Sequence, residues 1–193
     1  QRQMCIRDSI SSLQRIFPES YVWMDRFTMK NLELFNSNSI NGFNLSDTID
    51  ETTTSMGSRK LKSWIAFPLI DKKEIKKRQE IVQSIMSDDE ISRLLDINLN
   101  NISDIERLMS KIATYKISPR ELVNLKSSLE NVDLIKDSLL VYSGVLKNYG
   151  KSLPSSKSII KEISKTLKDD SPVSILKGDF IKDGFSKELD GLR

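Results

Sequence analysis

The sequence predicts an all-α protein, folded as an elongated helical bundle, and three observations support this fold class. Apolar residues recur at spacings of three and four along most of the chain, which is the period of an α-helix. The 193 residues include only 7 glycines and 5 prolines, whereas a β-sandwich needs many turns that are rich in both. Several apolar stripes also follow directly after residues that cap helices.

The first third of the chain predicts short helices separated by loops. Residues 10–17 place four apolar side chains on one helix face, and "DRFTMKNLELF" begins a new helix with Asp25 as its cap. Residues 36–44 are rich in asparagine, serine and glycine, so they predict a loop. The stretch "NLSDTID" that ends this loop predicts one further short helix.

Two longer helices are predicted in the next part of the chain. Ser55 is placed to cap the first of them, which carries Trp64 on its apolar stripe and is ended by Pro68. Asp71 and Glu74 form a capping-box pattern that starts the second helix.

The clearest helix start in the sequence is Ser118-Pro119-Arg120-Glu121. It offers a cap, a proline at the first helical position and a glutamate at the third. Before this start, apolar stripes at residues 91–95 and 102–112 predict two shorter helices. After it, a helix over residues 155–172 is expected to end at Pro172.

Residues 173–185, "VSILKGDFIKDGF", depart from the helical period. They alternate in part and are interrupted by Gly178 and Gly184, so they predict a short extended or hairpin segment. The sequence therefore divides into a helical core domain over residues 10–185 and the start of a truncated helix over residues 186–193. Residues 1–9, "QRQMCIRDS", read like translated adapter sequence and are interpreted as a non-native leader.

Composition narrows the functions that the chain can have. Thirty basic residues against 27 acidic ones give a net charge of +3, too small to indicate a nucleic-acid partner by itself. The single cysteine, Cys5, allows no internal disulfide, and the lack of histidine removes the commonest general base and metal ligand. We therefore expect a cytoplasmic chain without membrane association, and a segment with no catalytic residue, no metal and no cofactor.

Gly150-Lys151-Ser152 resembles the end of a phosphate-binding loop, but the spacing does not fit. Such a loop needs a glycine five positions before Gly150, where this chain has Val145, and Pro154 interrupts the helix that should follow. The alternative is that Gly150 ends one helix and Pro154 helps to start the next.

A basic stretch between residues 59 and 79 contains eight lysines and arginines but only two acidic residues. Such a stretch can contact the DNA backbone weakly, or it can be an ordinary solvated helix face. The residues that would make the contacts are Lys72, Lys73, Lys76, Lys77 and Arg78.

Two other groups of residues are interpreted as structural. Asp104, Glu106 and Arg107 lie close together, but neighbouring carboxylates on a helix point in different directions, so an ion pair is favoured over an acid–base pair. Trp64 lies on an apolar stripe, which favours a place in the core over base stacking.

Residues 52–82 carry a more specific pattern, and it resembles the core, or lever, domain of the MutS family of DNA mismatch repair proteins. Three further stretches match that family in the same order, beginning at "MDRFTMKNLELF", "ISDIERL" and "DGFSKELDGLR". Ser55 departs from the proline that the family usually has there, although serine is a good cap. The family-signature residues are Asp25, Asn31, Glu33, Met56, Gly57, Ser58, Arg59, Trp64, Pro68, Asp104, Glu106, Arg107, Pro119 and Arg120.

The resemblance implies that the chain is a fragment, a helical lever that links a DNA clamp to an ATPase and has no catalytic site of its own. It implies a parent protein that is a DNA-dependent ATPase, uses ATP and Mg²⁺, forms a homodimer and binds double-stranded DNA through its other domains. Residues 186–193 would lead into the clamp. The alternative is a free-standing basic helical module that binds nucleic acid.

Overall fold

The computed structural model describes residues 18–192, and helices joined by short connections make up most of this part of the chain. Within these residues strand pairing is confined to two isolated antiparallel bridges, Tyr21–Leu69 and Leu167–Ile181, so the all-α prediction is confirmed. The predicted helix at 10–17 and the leader at 1–9 lie outside the described residues. The α-helices are α1 (Arg26–Asn31), α2 (Leu45–Ile49), α3 (Ser55–Ala66), α4 (Lys72–Met86), α5 (Asp89–Asn100), α6 (Ile105–Ala113), α7 (Pro119–Val141), α8 (Gly144–Ser152), α9 (Lys157–Thr166) and α10 (Lys187–Leu192).

Helix α7 is the centre of the fold. It has 23 residues, which corresponds to a length of about 34 Å, and it packs against α5, α6, α8 and α9. Its start is the predicted capping box, in which the Ser118 hydroxyl accepts from the Glu121 backbone N–H and the Glu121 carboxylate accepts from the Ser118 backbone N–H. The core cluster lies between α5, α7 and α8 and consists of Ile91, Ile135, Leu139 and Leu146.

Gly150 lies inside α8, so the prediction that it ends a helix is wrong. A Cβ atom at this position would lie 2.9 Å from Leu139 Cβ and 3.3 Å from the Lys136 carbonyl oxygen, both on α7. The absence of a side chain therefore lets α8 approach α7 closely beside the core. Helix α8 ends at Ser152, two residues later.

Residues 18–70 form what we call the N-terminal layer, because its first residues pair with its last ones. The Val22 N–H donates to the Pro68 carbonyl at 2.8 Å, and the Ile70 N–H donates to the Ser20 carbonyl at 3.2 Å. Inside the layer the strongest helix packing is that of α2 on α3. Residues 71–192, which begin at the α4 cap, form the helical body, and the peptide bond from Ile70 leads into it.

The segment around 173–185 differs from the prediction in its partner. The Lys182 N–H donates to the Thr166 carbonyl and the Lys168 N–H to the Phe180 carbonyl, each at 2.9 Å, so the expected pairing is present. However, the partner residues, Thr166 and Lys168, belong to the stretch that was predicted to be helical up to Pro172. Helix α9 ends at Thr166 because the following residues form a turn, in which the buried Ser171 hydroxyl donates to the Lys168 carbonyl at 2.5 Å.

The remainder of the predicted hairpin segment is less regular. Residues 175–177 form a 3-10 turn, which Gly178 closes at a φ of 64°. Helix α10 then begins after Ser186, as predicted, and the Ser186 hydroxyl accepts from the Leu189 N–H at 3.4 Å.

Candidate functional site

The signature residues Arg59, Asp104 and Glu106 come together, although 45 residues separate Arg59 from Asp104. The Arg59 Nη1 and Nη2 atoms donate to the two Asp104 carboxylate oxygens at 2.9 and 2.7 Å. The Nε and Nη2 atoms donate to Glu106 Oε2 at 2.9 and 2.6 Å. One guanidinium on α3 therefore holds two carboxylates at the start of α6, in the fork geometry that favours arginine over lysine.

Asp104 has a second role as the N-cap of α6, because its Oδ1 accepts from the Arg107 backbone N–H at 3.2 Å. The hydrogen bonds from Arg59 are the main cause that holds the pKa of Asp104 below its usual value. They also raise the pKa of Arg59. The expectation of a structural ion pair is thus met by Arg59, whereas Arg107 contributes its backbone.

The residues before Arg59 fix the start of α3. Thr54, rather than the predicted Ser55, is the cap, and its hydroxyl accepts from the Gly57 N–H at 3.0 Å. A Cβ atom on Gly57 would lie 3.0 Å from that hydroxyl and 3.3 Å from Thr52 Cβ, so the site has little space for a side chain. Ser58 donates its hydroxyl hydrogen to Asp50 at 2.5 Å and is the main cause of the lowered pKa of this carboxyl.

Trp64 does not lie in the core as predicted, because 40% of it is exposed. The Arg78 guanidinium of α4 stacks on its ring, with Cζ 3.9 Å from the ring centroid. This cation–π contact covers one face of the indole and joins α3 to α4. It also separates Arg78 from the other basic residues of α4, which keep their side chains in solvent.

The other signature residues stabilise local structure. Asp25 caps α1, since its Oδ1 accepts from the Thr28 N–H at 2.6 Å. Glu33 has a φ of 50° and accepts from the Asn38 N–H at 2.7 Å, which closes the loop before α2. Asn31 is exposed at the end of α1, and Met56 lies in the first turn of α3. The Pro68 carbonyl accepts from the Val22 N–H. Pro119 is the first residue of α7, and the Arg120 N–H donates to the Pro172 carbonyl.

An apolar groove of about 870 Å³ runs between the N-terminal layer and the helical body. Val82 and Tyr149 on its walls remain 53% and 52% exposed. Its walls include Met56, Trp64, Ile81, Val82, Ile102, Ile105, Val145 and Tyr149.

The four lysines of α4 are all exposed, and Lys77 also lines the apolar groove. Among residues 18–192 they form no ion pair, so their charges stay in solvent. These lysines are Lys72, Lys73, Lys76 and Lys77.

Gly150, Lys151 and Ser152 occupy the last turn of α8. In a phosphate-binding loop the lysine and serine begin a helix, whereas here they end one, so these residues do not fit a nucleotide-binding loop. The part of the chain that the structure describes holds no cluster of three metal-ligating side chains. Nor does any helix in that part combine the length and the apolar content needed to cross a membrane.

Comparison with known proteins gives the family. A family model described as MutS domain III matches residues 27–189. The chain belongs to the MutS family. Proteins named DNA mismatch repair protein MutS from Christiangramia forsetii and Flavobacterium johnsoniae are each 45% identical over 185 residues, which cover 95% of this chain and 21% of the relative. The protein of the same name from Bacteroides fragilis is 40% identical over 185 residues, 95% of this chain and 22% of its own.

The resemblance to the MutS family is therefore confirmed, and this chain spans about a fifth of the length of the curated relatives that it matches. Sequence reasoning placed Arg59, Asp104 and Glu106 in the MutS signature without pairing them. Their only common signal is membership of that signature, because residues this far apart share no local spacing. Asp133, a buried acid on α7, was missed altogether.

Proposed function

We propose that this chain is the core domain of a DNA mismatch repair protein and acts in it as a lever between a DNA clamp and an ATPase. The observation that carries the proposal is the match to MutS domain III over residues 27–189. The parent protein would be a cytoplasmic homodimer that binds double-stranded DNA through its other domains and uses ATP and Mg²⁺.

The packing around α7 supports a mechanical role. A single helix of 23 residues contacts four others, and closely packed interiors transmit displacements as rigid bodies. The carboxyl groups with lowered pKa values supply caps, ion pairs or hydroxyl hydrogen bonds, which supports a segment with no catalytic role of its own.

A chimera with a related protein tests this proposal. Residues 18–192 would replace the matching core of the Flavobacterium johnsoniae protein, and the spontaneous mutation rate would be measured in cells that lack their own copy. We expect the chimera to restore a low rate. A second chimera, in which Gly150→Val forces α8 away from α7, controls for the packing. A chimera that accumulates in soluble form but leaves the mutation rate high would contradict the proposal.

A free-standing nucleic-acid module is the second candidate, and the exposed lysine face of α4 is the observation that favours it. Contact through phosphates alone predicts non-specific affinities of about 10⁻⁴ to 10⁻⁶ M at physiological salt, which fall steeply with added salt. Fluorescence anisotropy with labelled duplexes would measure the affinity of two quadruple lysine-to-glutamine variants. The first changes Lys72, Lys73, Lys76 and Lys77 of α4. The second is the control and changes four exposed lysines of α8 and α9, Lys147, Lys151, Lys157 and Lys161.

We expect weak binding that only the first quadruple variant loses, and equal affinity for mismatched and matched duplexes. Equal losses in both variants would show that α4 is not the contact surface. Discrimination of a mismatch by this chain alone would favour the free-standing module over the lever.

A further inference from the structure

The N-terminal layer and the helical body have few attachments to each other. Because Ser20 and Val22 pair with Ile70 and Pro68, the connector after α3 belongs to the layer, and the chain passes into the body at Asp71. Helix α3 packs mainly on α2, inside the layer. Between layer and body lies the apolar groove, which Met56 and Trp64 line from the layer and Val82 and Ile105 from the body.

Two arginine contacts bridge that groove. Arg78 of the body stacks on Trp64 of the layer. Arg59 of the layer reaches Asp104 and Glu106 of the body, and within residues 18–192 these are the hydrogen bonds and ion pairs that join the two parts.

The Arg59 contact uses most of what a guanidinium offers. Four of its five N–H donors bond to carboxylate oxygens: two reach the two oxygens of Asp104, and two share Oε2 of Glu106. Asp104 also caps α6, so the Arg107 N–H helps to hold the carboxylate that Arg59 contacts. Glu106 lies in the first turn of α6, where the helix dipole favours a negative charge.

The same contact remains open to solvent. The side chains of Arg59, Asp104 and Glu106 are 49%, 21% and 67% exposed. Charges at such positions are screened by dissolved ions, whereas a buried pair is screened much less.

We propose that Arg59 is a salt-sensitive latch that determines whether the N-terminal layer moves with the helical body. When the latch is closed, α3 and the start of α6 are held together and the groove stays narrow. When it opens, the layer turns about the Ile70–Asp71 junction, while the body keeps its own core around α7. This inference does not depend on the proposed lever function.

Hydrogen exchange with mass spectrometry on the 193-residue chain tests the latch. Arg59→Gln removes it, and Lys60→Gln removes the same charge from the next, exposed position. Asp104→Asn keeps an oxygen to cap α6 but weakens the pairing with Arg59. Each protein would be measured at about 0.05 M and about 0.5 M NaCl, where the Debye length falls from roughly 14 Å to roughly 4 Å.

We expect Arg59→Gln and Asp104→Asn each to speed exchange in α3 by about tenfold at low salt, with no further gain in the double variant. Added salt should speed hydrogen exchange in α3 of the unchanged protein and should not change the exchange rate in the variants. Exchange in α7 should stay constant. The latch is refuted if Lys60→Gln speeds exchange in α3 as much as Arg59→Gln does, or if the variants also exchange faster throughout α7. It is also refuted if none of the changes affects exchange in α3.

Discussion

At the scale of single residues, Gly150 and Gly191 provide a direct test of close packing. A Cβ atom at Gly150 would meet Leu139 at 2.9 Å, whereas one at Gly191 would meet nothing within 4 Å. We expect Gly150→Ala to lower the free energy of unfolding by about 1–3 kcal/mol, because α8 must move away from α7. Gly191→Ala should leave it unchanged or raise it by up to about 1 kcal/mol, because alanine favours a helix.

Urea denaturation of the two glycine variants gives both values under the same conditions. If Gly150→Ala proved as stable as Gly191→Ala, the contact between α7 and α8 would have to be looser than its distances indicate.

Glu121 makes the stability of the α7 start depend on pH. The Lys111 ammonium and then the Ser118 N–H lower the pKa of Glu121 from its usual 4.5 to about 2. A carboxyl group whose pKa is lower in the folded state contributes stability above its unfolded pKa, and this contribution disappears as the pH falls towards 2. Glu121→Gln should therefore destabilise the chain at neutral pH and make little difference near pH 2.

Urea midpoints of both proteins across this pH range would show the loss. Glu130→Gln on the same helix is the control, since Glu130 forms no ion pair among the described residues. If the difference in urea midpoint between Glu121→Gln and the unchanged protein stayed constant down to pH 2, the ionised Glu121 carboxylate would not be the source of the stabilisation.

At the scale of elements, helix α9 receives its cap from another helix. No side-chain hydrogen bond from its own N-cap, Ser156, caps it. Instead the Ser156 backbone N–H donates to Oδ1 of Asp133, a buried residue of α7, at 3.2 Å. The other carboxylate oxygen of Asp133 is also buried and has no hydrogen-bond partner within residues 18–192.

This tertiary cap predicts a difference between two replacements of Asp133. Asp133→Ala removes the acceptor and should lower the free energy of unfolding by about 0.5–2 kcal/mol, the usual effect of losing a cap. Asp133→Asn retains an acceptor oxygen and should remain close to the unchanged protein. Chemical denaturation checks both, and equal losses in the two variants would show that the negative charge, not the cap, is what matters.

Helix starts were more predictable than helix ends, and the reason is the range of the interactions. Asp25 and Ser118 cap the helix that follows them through neighbours three residues away, so the signal lies in the local sequence. At the end of α9 the Thr166 carbonyl accepts from the distant Lys182 N–H, and the place of Arg59 depends on α6. Contacts between distant residues produce no periodic pattern in the sequence, so only the family resemblance singled out Arg59.

At the scale of the whole molecule, the exposed groove predicts an incomplete core. The groove has a volume of about 870 Å³, and apolar side chains on its walls such as Val82 and Tyr149 stay half exposed. Contiguous exposed apolar side chains often mark a surface that adjoins a partner or a further segment. We expect the 193-residue chain to bind a hydrophobic dye and to unfold with low cooperativity. A chain extended to the length of the MutS relatives should bind less dye and unfold more sharply.

Val82→Glu on the groove wall and Ser92→Glu on the exposed side of α5 provide a matched pair for this measurement. The first should reduce dye binding and the second should not. A monodisperse chain that binds no dye and unfolds in one sharp transition would mean that the groove needs no cover.

The pairing of Ser20 and Val22 with Ile70 and Pro68 brings the two ends of the N-terminal layer together. A segment whose entrance and exit adjoin can be excised, replaced or lengthened without rerouting the rest of the chain. For the helical body the layer is therefore a closed excursion of the chain. An insertion in its exposed loop, residues 38–43, can lengthen it while the signature residues of α3 and the α7 core keep their places.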